Sequence, residues 1–174
     1  MLNSPKVYII GFMGSGKTTV GKKLASLLDW SFIDLDKKIE KQSGKTISEI
    51  FSQYGEDYFR NIETEVLKSL GSEKNTIIST GGGTPCFGDN MEYMIRTGLT
   101  LYLKLTPGQL RSRLSQETNE RPLLKDLNKE ELLEFIEEKL IFREKWYMRA
   151  ELIVEGFNPD VNFLKFLVKE KLNI

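Results

Sequence analysis

Short apolar runs alternate along this chain with longer stretches in which apolar positions recur every three or four residues. The runs are Lys6 to Ile10, Phe32-Ile33, Thr76 to Thr80, Leu99 to Leu105 and Leu152 to Val154. Continuous rather than alternating, and rich in β-branched and aromatic residues, they predict strands covered on both faces. Val20, Leu24, Leu27 and Leu28 have helical spacing, so a helix is predicted from Lys17 to about Leu28. Further helices are predicted over 37–42, ending at Gly44, then over 46–54 and over 56–70 with Gly71 as the stop. Others follow over 89–96, from Thr106-Pro107, from Asn128 to near Tyr147, and over 161–172. Thr106 with Pro107 reads as a cap followed by proline at the first helical position. Asn128 with Glu131 three residues on resembles a capping box. Strands alternating with helices predict an α/β domain with a parallel sheet covered by helices. The polar stretch 115–120 has no apolar anchor and reads as a mobile surface loop.

The most informative punctuation is Gly11-Phe12-Met13-Gly14-Ser15-Gly16-Lys17-Thr18, placed between the first strand and the first helix. It fits G-x-x-x-x-G-K-[ST]. Glycines let successive N–H groups curl inward at phosphate oxygens, and the following helix adds its positive end. In such a loop the lysine, Lys17, reaches the β- and γ-phosphates and the hydroxyl of Thr18 meets Mg²⁺. A simple glycine turn is the alternative, and the flanking strand and helix argue against it.

Asp34 and Asp36 stand two apart at the end of the second strand. If the segment is extended, both point the same way, toward the strand ends where α/β proteins bind ligands. Asp34 would then hold Mg²⁺ and Asp36 would accept a proton from an attacking hydroxyl. Alternatively Asp36 caps the helix that follows and Asp34 is solvated. The arginines divide in the same way. Arg60 could form an i,i+4 pair with Glu56. Arg143 lies on one helical face with Leu132, Ile136, Leu140 and Tyr147, and an arginine on an apolar stripe must snorkel or find an anion. Arg113 could stack on a base or face water. Arg121, at the end of the polar loop, is either solvated or swings over a transferring phosphate. Three glycines, Gly81 to Gly83, after a buried strand suggest close backbone approach to a ligand. Cys86 reads as a small buried residue.

Composition narrows the chemistry. The 174 residues hold no His and one Cys, which removes histidine-based triads, histidine-ligated metals, internal disulfides and thiolate clusters. The 25 Lys+Arg balance 25 Asp+Glu, so no overall basic field points to nucleic acid or anionic lipid. No apolar run approaches the roughly 18 residues of a membrane span, and the first apolar run is too short for a signal peptide. Carboxylates, Lys, Arg, backbone amides and a hard oxygen-bound metal remain. A cytoplasmic setting is expected.

These motifs together resemble the shikimate kinases over nearly the whole chain. The match comprises the phosphate loop, D-L-D at Asp34 to Asp36, and F-R-x-x-E at Phe59-Arg60 to Glu63. It continues through Gly81 to Gly83, R-P-L-L at Arg121 to Leu124, and R-x-x-x-Y-x-x-A at Arg143, Tyr147 and Ala150. The resemblance implies a nucleoside-monophosphate-kinase-like fold with five parallel strands in the order 2-3-1-4-5. One domain would span 1–174, with an acceptor-binding region at about 34–62 and a lid at about 114–126. It implies Mg²⁺-dependent transfer of the ATP γ-phosphate to the 3-hydroxyl of shikimate, in the chorismate route to aromatic amino acids. Asp36, Arg60, Gly81, Gly82, Gly83 and Arg143 would bind shikimate, with Lys17, Asp36 and Arg121 catalytic. Gly14, Ser15, Gly16, Lys17, Thr18, Thr19, Arg113, Arg121 and Asn158 would bind ATP, with Thr18 and Asp34 at Mg²⁺. A monomer is expected, with no nucleic acid or membrane partner. Two departures stand out. Thr84-Pro85-Cys86-Phe87 replaces a more aliphatic stretch, and the lid carries Glu117 and Glu120 where basic residues are common.

A gluconate or nucleoside monophosphate kinase would keep the phosphate loop without needing D-L-D, F-R-x-x-E and the triple glycine together. A GTPase-like switch needs N-K-x-D, and Asn128-Lys129-Glu130-Glu131 lacks the Asp.

Overall fold

The computed structural model describes residues 5–116 and 127–174. Five strands form one parallel sheet in the order β2-β3-β1-β4-β5. They are β1 (Lys6–Ile10), β2 (Ser31–Asp34), β3 (Thr76–Ser79), β4 (Leu99–Lys104) and β5 (Leu152–Glu155). The order and the parallel sense are those implied by the family resemblance. The helices are α1 (Lys17–Leu28), α2 (Leu35–Ser43), α3 (Ile47–Ser69), α4 (Asn90–Thr97), α5 (Pro107–Leu114), α6 (Lys129–Tyr147) and α7 (Val161–Leu172).

All of β1 is buried at the centre of the sheet, with Val7 opposite Ile77 and Leu99. Its side chains alternate between two cores. Val7 and Ile9 join Leu24, Ile77, Leu101, Leu164 and Val168 under α1 and α7. Tyr8 and Ile10 join Leu35, Leu67, Ile78, Tyr102, Ile136 and Tyr147 under the helices of the other face. An unbroken apolar strand is therefore what a sheet buried on both sides requires.

The caps follow the sequence closely. Thr106 with Gln109 and Asn128 with Glu131 form reciprocal capping boxes at the starts of α5 and α6. Thr46 and Glu49 form a third at the start of α3. The two helices predicted over 46–54 and 56–70 are one element bent at Gly55, whose φ of 82° and ψ of 175° no helix accepts. One expectation fails in detail. The helix predicted from Lys37 begins at Leu35, and Asp34 is its N-cap, accepting from Lys37 N–H at 3.3 Å. Asp36 therefore lies in the first turn of α2. It is not in extended chain, it does not share a strand face with Asp34, and it does not cap the helix.

No described helix is long and apolar enough to cross a membrane.

Candidate functional site

The carboxyl ends of β1, β2 and β3 converge, and the segments leaving them line a polar cleft of about 220 Å³. Gly14, Gly16, Lys17, Thr18 and Thr19 come from the phosphate loop, Asp34 and Asp36 from the start of α2, Gly81 and Gly82 from the end of β3, and Arg113 from α5. A larger groove of about 640 Å³ between α5, α6 and the end of β5 is lined by none of the expected residues.

In the phosphate loop, Gly16 sits at φ 94° immediately before α1, and Ser15 N–H closes the turn onto Phe12 O at 3.2 Å. Lys17 Nζ donates to the carbonyls of Gly11 and Phe12, both at 2.9 Å, so the ammonium lies against the loop it serves. Thr18 Oγ1 donates to Asp34 Oδ2 at 2.9 Å. A threonine hydroxyl and a carboxylate side by side at a phosphate loop are hard oxygen donors that suit Mg²⁺. Among the described residues no group of three His, Cys, Asp or Glu is placed so as to hold a metal ion.

Gly81, Gly82 and Gly83 explain how the acceptor side is assembled. Their need for glycine is one of space. A Cβ on Gly81 would stand 2.9 Å from Glu63 Oε1 and 3.1 Å from Asp36 Oδ1. On Gly82 it would meet Arg143 Nη1 at 3.3 Å, and on Gly83 it would meet Arg60 Nη2 at 2.4 Å. Three successive positions thus receive the expected site side chains Asp36, Arg143 and Arg60 from α2, α6 and α3. Tyr147 OH donates to Gly82 O at 2.5 Å and pins the turn to α6.

The two arginines differ in their surroundings. Arg60, 9% exposed, pairs with Glu56 at 3.1 Å, as its spacing allowed, and also with buried Glu63 at 2.8 Å. Glu63 in turn accepts from Thr84 Oγ1 at 2.6 Å. Arg143 lies on the buried stripe of α6, over the Phe12 ring at 5.4 Å, and its buried Nη1 has no hydrogen-bond partner among the described residues. Asp36 is raised from 3.8 to about 6, first by burial and then by the negative charges of Glu63 and Asp34, with Lys17 pulling the other way. Burial pushes the Cys86 thiol up to about 11 against the pull of Arg143 and Arg60, so it is a neutral wall of this region and not a nucleophile.

Arg113 lies over the Phe157 ring at 5.8 Å, which brings α5 beside the loop carrying Asn158 (φ 46°). Arg121 lies outside the described residues, as does the expected lid from 117 to 126. The sequence does not single out Phe157, and Phe87 stands out there only as part of the Thr84-Pro85-Cys86-Phe87 departure and not for its place against Arg60 at 5.1 Å. An aromatic one residue beyond Gly156, and another beyond the Pro85 turn, were the available signals.

A family model described as shikimate kinase matches residues 13–161. The chain belongs to the shikimate kinase family. It is 47% identical over 151 residues to the shikimate kinase of Parabacteroides distasonis, covering 87% of each chain. It is 41% identical over 155 residues to that of Persephonella marina, covering 88% of this chain and 91% of the relative. Among solved structures, the shikimate kinase of Bacteroides thetaiotaomicron superposes with a TM-score of 0.90 at 38% identity, covering 98% of this chain and 99% of that one. A shikimate kinase from Acinetobacter baumannii, solved in complex with shikimate, does so with a TM-score of 0.84 at 35% identity, covering 99% and 95%. Shikimate kinase activity, an ATP-dependent phosphoryl transfer, is accordingly the function of this fold and site.

Proposed function

We propose that shikimate lies with its carboxylate against Arg60 and Arg143 and its 3-hydroxyl toward Asp36. Backbone N–H groups from Gly14 to Thr19, with Lys17, hold the ATP phosphates. The convergence of Asp36, Arg143 and Arg60 on Gly81, Gly82 and Gly83 carries this reading, because it sets one carboxylate and two guanidinium groups around a single turn beside the phosphate loop. A planar guanidinium suits a carboxylate through its N–H edge, and Arg143 Nη1 is a buried donor available to one.

Phosphoryl transfer is mainly positioning and charge neutralisation. The acceptor oxygen attacks the γ-phosphorus, its proton passes to an Asp36 carboxylate oxygen, and ADP leaves with the bridging electron pair. Asp36, raised to about 6, is about nine-tenths ionised at pH 7 yet basic enough to hold the proton. Thr18 and Asp34 would hold Mg²⁺, which when bound offsets phosphate charge. Arg113 with Phe157, and Asn158 beside it, supports an adenine site between α5 and the loop after β5. Arg121 would supply the lid cation. The reading carries with it a single domain over 1–174 with the acceptor region at about 34–62 and the lid at about 114–126, acting as a cytoplasmic monomer.

An ADP-release assay with shikimate and ATP varied separately tests the roles. Asp36→Asn is expected to lower kcat at least about 100-fold. Arg143→Ala is expected to raise the shikimate KM at least about tenfold and the ATP KM less than about twofold. An unchanged shikimate KM with a large loss of ATP affinity would reverse the assignment of Arg143.

A further inference from the structure

The turn after the three glycines, Thr84-Pro85-Cys86-Phe87, is the stretch in which this chain departs from the aliphatic residues expected there. Thr84–Cys86 form a single 3-10 turn, closed by Cys86 N–H on Gly83 O at 2.9 Å, and Phe87 follows in extended conformation. The turn is fixed on both sides. Asn90 N–H donates to Phe87 O at 3.1 Å and Asn90 Nδ2 donates to Thr84 O at 3.0 Å. Phe87 is 37% exposed, and its ring centroid lies 5.1 Å from Arg60 Cζ, with that of Phe59 at 5.2 Å. Glu63 ties turn and helix together, one oxygen accepting from Thr84 Oγ1 and the other pairing with Arg60 Nη1.

A phenylalanine with over a third of its surface in water is poorly used as packing, but a cation against its face gives it a specific contact. A ring beside a guanidinium excludes water from the group and limits its rotation without occupying its in-plane N–H edges, and Arg60, with three of five N–H groups given to Glu56 and Glu63, has others to meet an anion. We propose that Phe87 is a positioning residue for Arg60, holding the guanidinium in the orientation that meets the acceptor's carboxylate. This rests on the assignment of Arg60 to that carboxylate. The Pro85 turn has a purpose under this proposal, since it brings the ring back over a side chain that Gly83 has just admitted.

The test is steady-state kinetics on the full chain with shikimate and ATP varied separately, for Phe87→Ala, Phe87→Leu, Phe87→Tyr and Arg60→Lys. Phe87→Ala should raise the shikimate KM about three- to tenfold, with kcat and the ATP KM changed less than about twofold. Phe87→Tyr should restore the wild-type KM, and Phe87→Leu, similar in bulk but without a π face, should behave like the alanine variant. An unchanged shikimate KM in Phe87→Ala, an equal loss for both substrates, or full rescue by leucine overturns the proposal. Should Phe87→Ala fail to fold, the other pair decides: tyrosine active and leucine impaired supports it, and no difference between them refutes it. Arg60→Lys separates the two layers of inference. An unchanged shikimate KM there removes the role of Arg60 itself, whereas a raised KM beside normal Phe87 variants removes only the role of Phe87.

Discussion

Asp36→Asn should make the chain more stable while disabling it. The wild-type carboxyl titrates at about 6 in the folded chain against 3.8 ordinarily, because burial, Glu63 and Asp34 all disfavour its charge. A raised folded pKa means that the folded state binds more protons than the unfolded one between those values. Stability is therefore fullest below about 3.8 and is lost as pH rises through about 6. At about 1.4 kcal/mol per pH unit, the loss at pH 8 is on the order of 3 kcal/mol. Asparagine keeps the shape and removes the charge. Urea unfolding at pH 8 should show a gain of about 1–3 kcal/mol, the lower figure allowing for an amide whose hydrogen bonds are imperfect. For a chain of this length the gain corresponds to a rise in Tm of about 2–10 °C. At pH 4 the wild-type carboxyl is already protonated in the folded state, and the advantage should shrink below about 1 kcal/mol. A variant no more stable than wild type at pH 8, or equally advantaged at both pH values, would refute the argument that the fold strains this carboxylate.

Three further outcomes follow from the same geometry. Acceptor-dependent kcat/KM should fall below an apparent pKa of about 6 as Asp36 protonates, and a profile flat to pH 5 would remove it as proton acceptor. Glu63→Ala leaves the Arg60 cation with Glu56 alone and the Thr84 hydroxyl without its acceptor, so urea titration should register a loss of about 2–3 kcal/mol. Gly83→Ala incurs no backbone strain at φ −90°, but its Cβ would fall 2.4 Å from Arg60 Nη2. It should leave Tm within a few degrees and raise the shikimate KM at least about tenfold, as measured by the same ADP-release assay.

Much of this was legible in the residues because the signals were local. An apolar strand, three glycines, Lys17-Thr18 and a helical stripe specify a phosphate loop through backbone geometry alone. The capping boxes at Thr106 and Asn128 are equally local, each needing only four residues. What escaped was set by tertiary packing. Asp34 and Asp36 face one cleft although α2 starts earlier than expected, because the strand-to-helix turn at Asp34 aims the first turn of α2 at the β3 end. The spacing of Arg60 announced its pairing with Glu56, but not that Glu63 would also bind Thr84, 21 residues away. Phe87 and Phe157 gain their meaning only from arginines on other elements.

Asp34 and Asp36 line this cleft, buried Glu63 stands against Gly81, and the three carboxylates have different surroundings. Glu63 is held by Arg60 and Thr84, which makes it part of the frame. Asp34 accepts from the Thr18 hydroxyl and the Lys37 N–H beside the phosphate loop. Asp36 is the carboxylate whose charge burial and both neighbours oppose. Burial and like-charged neighbours make a carboxylate a stronger base than it is in water. On the proposed assignment of Asp36, Glu63 would act on the chemistry indirectly, since its negative charge raises the Asp36 carboxyl while its oxygens hold Arg60. The arginines divide in parallel. Arg60 gives N–H groups to Glu56 and Glu63, which hold it in place, and a guanidinium's five donors leave it others to offer, whereas Arg143 has a buried Nη1 with no partner among the described residues. On the proposed assignment the two arginines complement each other, because a cation anchored by the fold keeps its place while one with an unplaced donor retains more of its pull on an anion.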